Sequence, residues 1–170
     1  TLRPETSPSE RRRGFRATSR QPLRLQLPAD PIAPSVARKW VRQWLTASFW
    51  PAGQLEDLVL AVSEAVSNAI EHAYLDHQSP AVVEINGEVE AAPGGHRRVT
   101  FSVRDHGRWR RPPIDDENRR RGIPLMRACV DTVTIGQPED NRAGTSVVLR
   151  SSAVPQLLGR FGIPDDEERC

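Results

Sequence analysis

One stretch constrains the fold of this chain more than any other. From Gln54 to Asp76 it reads QLEDLVLAVSEAVSNAIEHAYLD, and at about 100° per residue Leu55, Leu58, Val59, Val62, Val66, Ala69 and Ala73 share one broad side. Asp57, Glu64, Asn68 and Glu71 fall opposite. This is a long amphipathic helix, and its apolar side demands a packing layer. Glu64 and Asn68 stand four residues apart and project as neighbours from adjacent turns. A carboxylate beside a carboxamide also suits a plain solvated face, which most globular helices have. The pair acquires chemistry only through residues further along the chain.

The flanking segments say what that layer is. Leu23, Leu25 and Leu27 alternate with Arg24 and Gln26, the pattern of a half-buried strand, which Pro28 and Pro31 end. A helix is expected from about Pro34 to Ser48, followed by a turn at Trp50-Pro51-Ala52-Gly53. Beyond the long helix, Ala81 to Val89 and Arg97 to Asp105 are strand-like runs joined through Glu90-Ala91-Ala92-Pro93-Gly94-Gly95, an antiparallel hairpin. His106 to Arg121 is charged and almost free of apolar residues, and reads as a loop. Gly122-Ile123-Pro124 then opens a short helix through Val130. Thr132 to Gln137 and Thr145 to Arg150 form a last hairpin around Pro138 to Gly144. This order predicts an α/β two-layer sandwich, with a mixed, mainly antiparallel sheet covered on one face by helices. A doubly wound dinucleotide fold is disfavoured: strands do not alternate with helices, and no G-x-G-x-x-G follows a strand. A P-loop is absent as well.

At 170 residues the chain suits one domain, with residues 1–20 expected as a disordered tail or linker, 21–150 as the folded domain and 151–170 as a C-terminal tail. The formal charge of +2 is too small to argue for nucleic acid. Arg11, Arg12, Arg13 and Arg16 cluster at the front and Asp165 to Glu168 at the back, as solvated tails do. No apolar run approaches the roughly 20 residues needed to cross a bilayer, and the start lacks the apolar centre of a secretory signal. The expected location is therefore the cytoplasm. Cys129 and Cys170 lack any metal-ligand spacing. The chain opens on threonine and its only methionine is Met126, so it is expected either to come from something longer, a multidomain parent being one option, or to have had its start processed away.

Three features join Glu64 and Asn68. Asp105-His106-Gly107 puts an acid and a glycine where a strand runs into a loop; the acid can accept from an exocyclic amine and the glycine admits a flat ring, although an ordinary Asp turn has the same look. Gly122 stands between the charged loop and the short helix, where free backbone N–H groups bind phosphate or a simple hinge sits. Gly144-Thr145 precedes the last strand, where the hydroxyl of Thr145 can reach a base or a water, or where the glycine merely turns the chain.

Together these four stretches resemble, in order, the N, G1, G2 and G3 boxes of the GHKL ATPase superfamily, and within it the RsbW-like anti-sigma-factor serine/threonine kinases. LAVSEAVSNAIEHAY carries the most specific match, with VRDHGRW, RGIPLMRACVD and GTSVVLR supporting it. Trp109 and Arg120 depart from it, each replacing a glycine of the lid boxes. The resemblance implies the Bergerat ATP-binding fold over residues 20 to 150, with ATP and Mg2+ as ligands. It implies that Asn68 coordinates Mg2+, that Glu64 is the general base, that Asp105, Gly107 and Thr145 hold adenine, and that Gly122 holds phosphate. His72 also follows the pattern and is read as structural. The implied partners are a sigma factor and a STAS-domain anti-sigma-factor antagonist, with a homodimer and a fused phosphatase or STAS domain as further expectations. Two alternatives stay open: a binding module in which nucleotide only shapes the lid, and, ranked lower, the ATP-binding domain of a sensor histidine kinase.

Overall fold

The computed structural model describes residues 21–73, 82–106, 119–137 and 144–157. In chain order the elements are β1 (Leu23–Pro28), α1 (Ala33–Ala47), α2 (Ala52–Ala73), β2 (Val82–Ala92), β3 (His96–Asp105), α3 (Arg119–Cys129), β4 (Thr132–Gly136), β5 (Ser146–Arg150) and β6 (Val154–Pro155). The sheet runs β1-β2-β3-β5-β4, with β6 continuing the β5 side along β3. Every pairing is antiparallel. The sandwich is thus as expected, and its sheet is antiparallel throughout among the described residues rather than mixed.

Period-two alternation decides which face is covered. Val83, Ile85, Val99, Phe101, Val103, Val147 and Leu149 are buried, whereas Glu84, Asn86, Thr100, Ser102 and Arg104 point to the other face. All three helices lie on the apolar face, α1 over β1, α2 over β3 and α3 over β4. Gly87 makes room at the centre: its Cα faces the Phe101 ring, whose edge meets Trp44 of α1 with centroids 5.6 Å apart. A methyl group at Gly87 would lie 2.7 Å from that ring.

Helix α2 is the middle of the helical layer. Leu55, Leu58, Val59, Val62, Val66 and Ala69 are buried as the periodicity requires, and so are Ala61, Ala65 and Ile70. Burying a Val or Leu side chain contributes roughly 1.5–3 kcal/mol, so this one helix carries much of the core. The extra buried alanines have a tertiary cause: α1 packs on one flank of α2 and α3 on the other, so the buried arc is wider than a sheet alone would make it.

Several element bounds differ from those expected from the sequence, among them β2, which continues past Val89 to Ala92, and α2, which begins at Ala52. α3 starts at Arg119, three residues before Gly122, so Gly122 belongs to its first turn and Pro124 lies inside the helix, where it cannot donate the i−4 bond to Arg120. The strand β6 was not anticipated. After β5, Ser151 breaks the ladder: its N–H donates to Val99 O and its Oγ accepts the Val99 N–H (both 2.9 Å), and the chain rejoins β3 at Val154. A two-residue strand leaves no period to read.

Candidate functional site

Glu64 and Asn68 project from α2 toward α3, and neither faces open solvent: both are half-buried. Gly122, itself buried, is the residue of α3 that lies against them. A Cβ built on Gly122 would collide with Glu64 Oε1 and stand 3.2 Å from Asn68 Nδ2. The spacing of four on α2 brought the pair together, and α3 roofs it. The two helices run antiparallel, since the other end of α3, at Cys129, comes near Asp57 at the start of α2. Burial, and then the nearby Asp57 carboxylate, push the Cys129 thiol up, which keeps it protonated and unreactive.

Asp105 closes β3. Its parity is that of Val99, Phe101 and Val103, so its side chain lies on the helix-covered face, only 4% exposed. Asp105 Oδ1 accepts the Thr145 N–H at 3.1 Å, and the Asp105 N–H donates to Thr145 O at 3.1 Å. Backbone bonds therefore tie Thr145 to Asp105; the expected task of the Thr145 hydroxyl, toward a base or a water, is a separate one. Gly144 makes the approach possible. Its φ is +115°, and a Cβ would overlap the Asp105 carbonyl oxygen, so only glycine fits. The sequence reading had noted Gly144 as a turn glycine; the closeness of two strand ends far apart in sequence is what gives it a further task. On the open face, His106 Nε2 lies 3.2 Å from Glu84 Oε1 across the β2–β3 pair, a contact no motif signalled.

Of the residues singled out from the sequence, Glu64, Asn68 and Gly122 are thus in one cluster, and Asp105 and Thr145 in a second on the same side of the sheet. Gly107 and Trp109 lie outside the described residues, as do the side chains of His72, Arg119, Arg120 and Arg121. The first turn of α3 adds backbone N–H groups that have no partner within the helix, and its positive dipole end favours anions. An acceptor at a buried strand end and a helix N-terminus beside an amide and a carboxylate can hold a molecule with an amine at one end and phosphates at the other. Among the described residues no helix is long and apolar enough to cross a membrane.

A family profile described as the histidine kinase-like ATPase domain matches residues 27–151. The crystal structure of the RsbU and RsbW domains of Rv1364c from Mycobacterium tuberculosis is similar at 28% identity and a TM-score of 0.56, covering 81% of this chain. The chain spans only 33% of the length of that protein. The SiaB–SiaC complex from Pseudomonas aeruginosa aligns over 75% of this chain and 89% of its own, at 14% identity and a TM-score of 0.47. The match covers β2, β3, α3, β4, β5 and the whole of α2, which carries Glu64 and Asn68, and with it comes the ATP-binding function of that domain. This chain belongs to the histidine kinase-like ATPase family, and within it is RsbW-like.

Proposed function

We propose that the protein is an ATP-dependent serine/threonine kinase of partner-switching type, which phosphorylates a STAS-domain antagonist and sequesters a sigma factor. The observation that carries the reading is the seating of the α3 start on Glu64 and Asn68, which joins a base, a hard oxygen ligand and a phosphate-binding helix end. Rv1364c, which pairs an RsbU with an RsbW domain, supports it.

Each residue has a physical task in this reading. Asp105 accepts the adenine amine; a carboxylate accepts at both oxygens, so it can keep the Thr145 N–H at the same time. Gly107 admits the ring beside it. The backbone of the α3 first turn, Gly122 included, binds phosphate oxygens. Asn68 offers an amide oxygen, a hard donor suited to Mg2+, and no three His, Cys, Asp or Glu side chains cluster among the described residues to cage a cation by themselves, which suits an ion shared with phosphates. Bound there, Mg2+ would neutralise charge on the phosphates. Glu64, one turn before Asn68, takes the proton of the acceptor hydroxyl as that oxygen attacks the γ-phosphorus in line and ADP leaves.

With purified STAS partner and labelled ATP, label is expected on the partner and is expected to vanish in Glu64→Ala; undiminished transfer in that variant would remove Glu64 as base. Asn68→Ala is expected to lose the Mg2+-dependent part of nucleotide affinity. A second reading, a module that binds a sigma factor or STAS protein without efficient transfer, is motivated by Trp109 and Arg120 at positions where the lid boxes carry glycine. Nucleotide binding with no transfer at all would favour it.

A further inference from the structure

Gly122 has no conformational reason to be glycine. It sits in the first turn of α3 with no positive φ, and glycine in a helix is less stable than alanine. What it has is a lack of space. A Cβ would collide with Glu64 Oε1 and lie 3.2 Å from both Glu64 Cδ and Asn68 Nδ2. The obstacles are the ends of two side chains from α2, and no backbone atom of another element is among them. At Gly144, by contrast, the obstacle is the Asp105 carbonyl, which cannot step aside. A methyl group at position 122 would therefore leave the fold standing and push the Glu64 carboxylate to another rotamer.

Resting on the kinase reading of this site, we propose that Gly122 is a positioning residue for the base: its bare Cα is the wall that sets where the Glu64 carboxylate stands, separately from any phosphate contact made by its N–H. The N–H would survive in Gly122→Ala, and the wall would not. α3 thereby acts on the reacting end of Glu64, and whatever shifts α3 relative to α2 shifts the base with it.

A double-mutant cycle tests this in the whole chain. Urea midpoints are measured for wild type, Gly122→Ala, Glu64→Ala and the double variant. Alanine at 122 is expected to lower the midpoint or leave it unchanged when Glu64 is present, and to shift it upward relative to that when position 64 is alanine, where only the Asn68 Nδ2 contact at 3.2 Å remains to oppose the helix preference for alanine. The same shift in both backgrounds, or failure of both alanine-122 variants to fold, would overturn the proposal. In phosphotransfer to a STAS partner, Gly122→Ala is expected to lose at least about tenfold in kcat, with the KM for ATP changed less than about threefold. Loss in KM with kcat kept would assign the residue to phosphate binding and overturn positioning. If wild type transfers no phosphate, the kinase reading falls, while the midpoint cycle still decides whether Gly122 and Glu64 collide.

Discussion

Helix α2 meets its two neighbouring helices in opposite ways. On the α1 side, the chain turns through a Schellman closure: Trp50 N–H donates to Leu45 O and Phe49 N–H to Thr46 O. The left-handed position that usually falls to glycine is held by Phe49, at φ +50° and 64% exposed as a residue, which costs about 1–2 kcal/mol. Arg97 of β3 offsets this. Its guanidinium donates to Ser48 O and Phe49 O, both at 2.7 Å, and stacks 4.9 Å over Trp50. Arg42 on α1 adds an exposed ion pair with Glu56 on α2 at 2.7 Å, and Arg38 donates to Ser63 Oγ at 3.1 Å. On the α3 side, Gly122 meets Glu64 and Asn68 with its bare Cα. Side chains fasten one joint; at the other, the bare Cα of Gly122 leaves Glu64 and Asn68 their places, where the proposed chemistry would occur. A strained aromatic is tolerated where the frame needs rigidity, and a glycine where the chemistry needs space.

That contrast can be broken by substitution. The largest effect is expected from Gly144→Ala, where strained φ and collision with the Asp105 backbone coincide: about 3 kcal/mol of stability lost in urea unfolding, together with nucleotide affinity, because Asp105 moves too. Arg97→Ala is expected to cost about 2–3 kcal/mol by leaving two carbonyls without their charged donor, while ATP affinity of the folded fraction stays within about twofold; a large loss of affinity would mean the two flanks are not separable. Phe49→Gly works in the other direction and is expected to add about 1 kcal/mol by relieving the left-handed residue, read as a higher melting temperature. Destabilisation there would give the exposed ring a packing role.

The smallest effect concerns pH. The hydrogen bond from Arg42, assisted by its charge, holds the Glu56 carboxyl below its ordinary range. A depressed carboxyl adds stability above its unfolded pKa and loses it as pH falls through the folded value. Glu56→Gln is therefore expected to flatten the acid limb of the stability profile slightly, an effect that salt should shrink because the pair is exposed.

Much of this was legible in the chain itself, for reasons that differ by residue. Period-two runs at 81–89 and 97–105 and the 3.6-residue period of α2 mark elements whose burial follows from local spacing. Glu64 and Asn68 were visible as a pair because four residues make one turn. The start of α3 was not: Arg119, Arg120 and Arg121 continue a charged run that reads as loop, and the helix begins with them. Phe49 gave no signal of a left-handed residue either, since what stabilises it comes from Arg97, far along the chain.

The sequence alone determined where most helices and strands lie and which of their faces are apolar, because those properties depend on neighbours a few positions away; that an acid, an amide and an Asp at a strand end belong together came from the family resemblance. Only the tertiary structure decided that β5 lies between β3 and β4, that Gly144 touches Asp105, and that Gly122 rests on Glu64. Those are contacts across layers, and their geometry depends on how α1, α2 and α3 share one sheet face, which no local spacing encodes.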